Sequence, residues 1–242
     1  MAELLRKAVT AHRILLAEGV MDAFGHVSVR DADDPNGFWL SAALPPSMVA
    51  PGDFILHGVN GEPLESTGRA LFAERFIHAE TYKARPDVNA VCHCHPAAIL
   101  PFCIGAGRLF AVSQTGGFLG EGAPVWDSAD EFGDTDMLVA KPEQGASMAR
   151  ALGSGSVVLL RGHGATFAGR SLEDVVFKSV YACRESWTLL AAANGGSPRP
   201  LTRGEIRAIG EPHPRALERC WAHWSALIEA QPGHAASEEP RS

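Results

Sequence analysis

The sequence predicts a single α/β domain, on three observations. Segments whose apolar residues recur at helical spacing alternate along the chain with short β-prone runs. At 242 residues, 46% of them hydrophobic, the chain is long enough to bury a substantial core. It also shows no internal repeat and no linker that would divide it. The domain is expected over 1–230, followed by a polar, proline-containing tail, "QPGHAASEEPRS" at 231–242, that is expected to be disordered.

Taken in order, Leu4, Leu5, Ala8, Val9, His12, Leu15 and Leu16 follow helical spacing, and Gly19 stands where a left-handed cap would stop the helix. "GHVSVR" and "GFWLSA" are β-prone, and "DFILHGVNGE" carries the Asn60-Gly61 pair of a tight turn. "GRALFAERFIHAETYKARPD" reads as a helix ending before Pro86, and "VNAVCHCHP" follows as a strand. A short helix is expected after Pro96, then a loop-rich stretch, then a helix at "KPEQGASMARALG" with Pro142 in its first turn. "SGSVVLLRGHGATFAG" is a strand running into a glycine-rich turn. A long helix opens on Ser171, with Glu173 and Asp174 in its first turn, and a last helix is expected over 202–230.

Charge and composition exclude several functions. The net charge of -7, with Lys and Arg scattered, leaves no electrostatic footprint for nucleic acid or an anionic membrane, so a small-molecule partner is expected. No run of 18 apolar residues occurs, and the amphipathic start does not read as a signal segment, which predicts a soluble, cytoplasmic protein. Five cysteines without regular spacing fit a reducing compartment.

Chemistry concentrates in "VNAVCHCHP". In a strand, successive side chains point to opposite faces, so His93 and His95 project together while Cys92 and Cys94 face the other way. This favours two imidazole ligands of one ion backed by two packing thiols; a Cys-X-Cys metal pair is the alternative. A divalent ion needs a third ligand, and a catalytic site leaves a further position open. The best candidate is His163 in "LLRGHGATF", between glycines that let the backbone turn tightly.

With "GHVSVR", "AERFIHAETYKARPDVNAVCHCHP" and "RGHG" in this order, the chain resembles the class II aldolase/adducin family over 4–193. The resemblance implies a three-layer αβα domain around a central, largely antiparallel β-sheet. It implies a divalent metal ion, Mn2+ or Zn2+ with Fe2+ as a further option, held by His93, His95 and His163. Glu74 would be the catalytic acid/base, able to occupy the metal's fourth position. It further implies a homo-oligomer, a tetramer with active sites near subunit interfaces.

Where family aldolases cradle a phosphate, this chain has His26 for an asparagine, "SAALPPS" for a Thr-Gly region, and Phe72-Ala73 just before Glu74. Apolar side chains cannot donate to a phosphate dianion, so a substrate without phosphate is expected. Arg69, Arg75, Arg161 and His26 are candidate partners for a carboxylate or phenolate instead, Arg161 being on the ligand's strand face if the strand persists to His163. Ser28 is either a substrate contact or a turn hydroxyl, and His78, one helical turn after Glu74 and able to share its face, reads as a packed helix histidine. Trp126 and Phe132 are packing anchors or covers for an aromatic ring.

These departures resemble the family's aromatic-acid decarboxylase branch, which acts on 3-hydroxy-2-methylpyridine-4,5-dicarboxylate and 3,4-dihydroxyphthalate. The expected activity is a metal-dependent, non-oxidative decarboxylase of a hydroxylated aromatic or heteroaromatic carboxylate, passing through a metal-stabilised enolate or phenolate. Two other enzymes are compatible with the fold: an aldolase or epimerase of a small hydroxy-carbonyl compound, and a non-haem iron oxygenase of a hydroxyphenylpyruvate-type substrate. The non-enzymatic alternative, an adducin-like interaction module, would not need three histidines.

Overall fold

A computed structural model describes residues 1–105 and 107–230; the expected disordered tail at 231–242 lies outside the described residues. The chain begins with α1 (Ala2–Ala17), then β1 (His26–Arg30), β2 (Gly37–Ser41) and β3 (Phe54–Gly58). Next come α2 (Arg75–Ala84), β4 (Ala90–Cys94), α3 (Leu100–Cys103), β5 (Val125–Trp126), α4 (Ala129–Phe132) and α5 (Pro142–Leu152). The β6 (Val157–Leu160) and β7 (Gly164–Gly169) hairpin leads into α6 (Leu172–Ala193), α7 (Arg203–Ile209) and α8 (Pro214–Glu229). None of these helices is long and apolar enough to cross a membrane.

The strands form one sheet in the order β3-β2-β1-β4-β7-β6-β5, antiparallel throughout except for the β5–β6 pair. Strand alternation sorts its side chains into two apolar layers. Val27, Val29, Cys92, Cys94, Val157, Leu159, Ala165 and Phe167 pack against α1 and α6. Phe38, Leu40, Val91, Val158, Leu160 and Ala168 face α2 and α5, where Ile77, Tyr82, Met148 and Leu152 complete a second core. The result is the three-layer αβα arrangement around a largely antiparallel sheet.

Three segments differ from their sequence-based expectation. Helix α2 starts at Arg75, because the stretch before it runs extended past the end of β2, where Ala43 N–H donates to Ala70 C=O at 2.9 Å. The strand before the third histidine stops at Leu160, so Arg161 is not on a strand face as expected but opens the turn to β7. The last helix is two, since Gly210 adopts φ +62° and the prolines at 212 and 214 cannot continue the first one.

Candidate metal centre

Sheet register brings the site together. His26 on β1, His93 on β4 and Thr166 on β7 are direct cross-strand partners, forming one row on the α2 side of the sheet. His95 follows the end of β4, and His163 sits in the β6–β7 turn, where Gly162 takes φ +65°. A Cβ on Gly164 would lie 2.4 Å from the Cys94 carbonyl oxygen and 2.8 Å from His95 Cδ2. Only glycine therefore lets the turn approach β4 closely enough to deliver the third imidazole. Glu74 comes from the helical layer that faces this row, at the N-cap position of α2, where its side chain makes no capping hydrogen bond.

The three imidazoles converge through the same nitrogen. His95 Nε2 lies 3.0 Å from His93 Nε2 and 3.0 Å from His163 Nε2. Glu74 closes the group, its Oε2 3.6 Å from His93 Nε2 and its Oε1 3.6 Å from His163 Nε2, and the four ligand atoms all lie within 4.8 Å of one another. Tetrahedral ligands at zinc-like bond lengths would stand about 3.3 Å apart. Burial foremost, with the neighbouring imidazoles adding to it, holds His93 well below the usual imidazole range, and burial lowers His95 to about 4. Both are therefore neutral near pH 7 and point a lone pair or a single proton at the common centre. A divalent cation at the centre of this triangle could take a donor from each of the three nitrogens. If Nε2 is the ligand atom of His93, its proton is on Nδ1, where Thr166 Oγ1 stands 3.1 Å away to accept it.

Burial raises the Glu74 carboxyl above its ordinary value; His163 and the Val139 N–H, which donates to Oε1 at 3.1 Å, oppose the rise. Because His93 is neutral, the Glu74–His93 approach is not an ion pair.

Glu74 and His95 open onto a cavity of about 340 Å³, within the range of small-molecule sites, whose other walls are Ala23, Phe24, Gly25, His26, Ala43, Leu44, Pro45 and Phe72. No lysine or arginine is among these residues. A roomier depression, about 490 Å³, lies beside Lys7, Arg30 and Glu173, but Lys7 is paired to Glu173 there and Arg30 is spent on backbone carbonyls.

The residues expected to bind substrate divide. His26 lines the cavity. Ser28 does not: it is fully buried, with its hydroxyl between His78 Nδ1 at 2.6 Å and Tyr82 Oη at 2.8 Å. Arg75 is held by the Gly61 and Phe72 carbonyls and by Glu62, and Arg161 turns outward to Asp127 because its strand has ended. Arg69 pairs with Asp53. Trp126 is buried and donates to Ser147 Oγ, and Phe132 packs on the α2/α5 core, so both are anchors. Sequence reasoning missed the contact between His78 and His26, 2.6 Å from Nε2 to Nδ1. His78 is a packed helix histidine as expected, fully buried, but its partner lies 52 residues away on β1, beyond the reach of helical spacing.

The chain is 31% identical over 251 residues to Decarboxylase tropJ of Talaromyces stipitatus, covering 93% of this chain and 94% of that protein. It is 30% identical over 242 residues to a 3,4-dihydroxyphthalate decarboxylase of Arthrobacter keyseri, covering 92% and 90%. Among solved structures, L-fuculose 1-phosphate aldolase from Glaciozyma antarctica superposes with a TM-score of 0.76 at 24% identity, over 94% of this chain and 89% of that one, and so shares the fold. Residues 6–185 match the Class II Aldolase and Adducin N-terminal domain, and the chain belongs to that family.

Proposed function

We propose that the protein is a divalent-metal-dependent, non-oxidative decarboxylase of a hydroxylated aromatic or heteroaromatic carboxylate. The observation that carries this reading is the convergence of three imidazoles and the Glu74 carboxylate beside a cavity whose remaining walls are almost wholly apolar. Leu44, Pro45 and Phe72 suit an aromatic ring and give a phosphate no donors. That the similar relatives include decarboxylases, three of them named for dihydroxyphthalate, supports the same class.

His93, His95 and His163 would hold the ion, manganese or zinc, with iron(II) compatible with the same donors. When bound, it would act as a Lewis acid that stabilises negative charge developing on a substrate oxygen. The chain's own residues supply the rest. The apolar wall orients the ring and excludes water from its face. Glu74 holds a proton at the edge of the cavity and delivers it to the ring carbon bearing the carboxylate; the carbon–carbon bond then breaks, carbon dioxide leaves, and the carbon keeps the proton. Solvent returns a proton to Glu74.

We extend the proposal to assembly. The exposed apolar side chains include Phe24, 68% exposed on the cavity wall and edge-on to His95, and Ile104, 67% exposed at the C-terminal end of α3. A homotetramer would bury them between subunits, and light scattering of the purified protein gives the mass. The activity is tested by reconstituting the protein with manganese or zinc and following carbon dioxide release from a panel of ortho-hydroxy aromatic mono- and dicarboxylates. Release from at least one of them is expected. Turnover of a hydroxy-aldehyde or ketose instead, or oxygen uptake with a hydroxyphenylpyruvate, would overturn it.

A further inference from the structure

Behind the cavity wall a chain of buried polar side chains runs away from the cluster. His26 Nδ1 lies 2.6 Å from His78 Nε2, His78 Nδ1 lies 2.6 Å from Ser28 Oγ, and Ser28 Oγ lies 2.8 Å from Tyr82 Oη. Ser28 and His78 have no exposed surface, and Tyr82 and His26 almost none. Each imidazole keeps at least one ring proton, so a ring whose one nitrogen accepts must donate through the other.

The order of protons is fixed from the far end. The Tyr82 hydroxyl has one proton, and its side-chain partner is Ser28 Oγ. Sending that proton elsewhere would orphan a buried donor. Tyr82 therefore donates to Ser28, and Ser28 must place its own proton on the lone pair of His78 Nδ1. His78 then carries its proton on Nε2 and donates it to His26 Nδ1. What remains to His26 is Nε2–H. Its Nδ1 is committed to His78 while the ring lines the cavity, braced by Phe72 at a centroid distance of 4.4 Å. Of the side chains lining the cavity, His26 is the polar one that does not belong to the metal cluster.

We propose that Tyr82, Ser28 and His78 are positioning residues that fix His26 as an Nε2–H donor, so that His26 selects a ligand presenting an anionic oxygen, the carboxylate or phenolate of an aromatic acid. The ligand class rests on the decarboxylase reading; the proton order does not. A donor-only group suits a carboxylate where no arginine is at hand, and it rejects a ligand that would offer its own N–H or O–H at that point.

Two measurements on the zinc-loaded protein test this. Long-range proton–nitrogen correlation spectra, assigned with His26→Gln and His78→Gln, should show both rings as the Nε2–H tautomer. An Nδ1–H tautomer at either ring, or a mixture, would overturn the relay. The second measurement is the affinity for salicylate, an ortho-hydroxy aromatic carboxylate. In His78→Gln the amide N–H stands where Nε2–H was and the amide oxygen accepts from Ser28, so affinity should stay within about threefold of wild type. In His78→Leu, with zinc content unchanged, it should fall about tenfold or more. Equal affinity in the two variants would reduce His78 to a space-filling role and overturn the proposal. If the wild-type protein fails to bind salicylate at all, the substrate reading and the ligand class fall together, and the tautomers still decide the relay.

Discussion

The two faces of β4 share five consecutive residues and almost nothing else. On the α2 side, His93 stands in a polar row with His26 and Thr166. On the α1/α6 side, Cys92 and Cys94 sit in an apolar core with Val27, Phe167 and Val176. Both faces are fully buried, so burial alone does not separate ligand from packing residue. The neighbours do. Imidazoles gathered Nε2 to Nε2 offer three donors that could hold a cation, whereas thiols pushed upward in pKa by burial, as Cys94 is, stay protonated and behave as small apolar groups.

The largest expected effect lies on the histidine face. Replacing His93, His95 or His163 by alanine should remove the metal and lower turnover by a factor on the order of 10³ or more, with the circular dichroism of the fold retained. Glu74→Gln should keep the metal and lower kcat by roughly 10²–10⁴, which metal analysis alongside kinetics would show. If both variants lost metal equally, Glu74 would be a ligand first.

On the cysteine face the effect should be on stability instead. Cys92→Ser places an unpartnered hydroxyl in the apolar layer and should cost roughly 1–3 kcal/mol in denaturant unfolding, with metal content unchanged. Loss of metal in that variant would revive the Cys-X-Cys alternative. The same α1 layer carries a titrating group, His12, whose Nδ1–H donates to Ala8 C=O at 2.8 Å and whose Nε2 accepts from Val27 N–H at 3.2 Å. Burial lowers it from 6.5 to about 4, so protonation favours the unfolded chain. The stability this represents, on the order of 3 kcal/mol, is fully present above pH 6.5 and is lost as pH falls from there towards 4. Unfolding curves across that window should show the decline, and His12→Gln should flatten it. Smallest of all, Arg161→Ala should leave kcat/KM within about twofold, because the side chain is turned to Asp127 in solvent.

How far the sequence carries follows from the range of the forces involved. Alternation in "AVCHCH", the proline in the first turn of α5 and the Ser171 cap are local, and all three are found in place. The glycines flanking His163 likewise mark a tight turn. What escapes depends on other strands and on chain termination. Arg161 reads as a strand-face residue, but β6 stops one residue earlier; Ser28 reads as a substrate contact or a turn hydroxyl, but its partner His78 arrives from a helix 50 residues away. The break between α7 and α8 is legible at Gly210 and Pro212, and the amphipathic pattern on either side obscures it.

One titration tests the metal centre most directly. Metal is removed by chelation and returned stepwise while carbon dioxide release from an ortho-hydroxy aromatic acid is followed. Activity should rise linearly and saturate at one ion per chain, and the His163→Ala protein should remain inactive throughout. Full release from metal-free protein, or equal stoichiometric uptake and activity in His163→Ala, would contradict the assignment of this cluster as the catalytic centre.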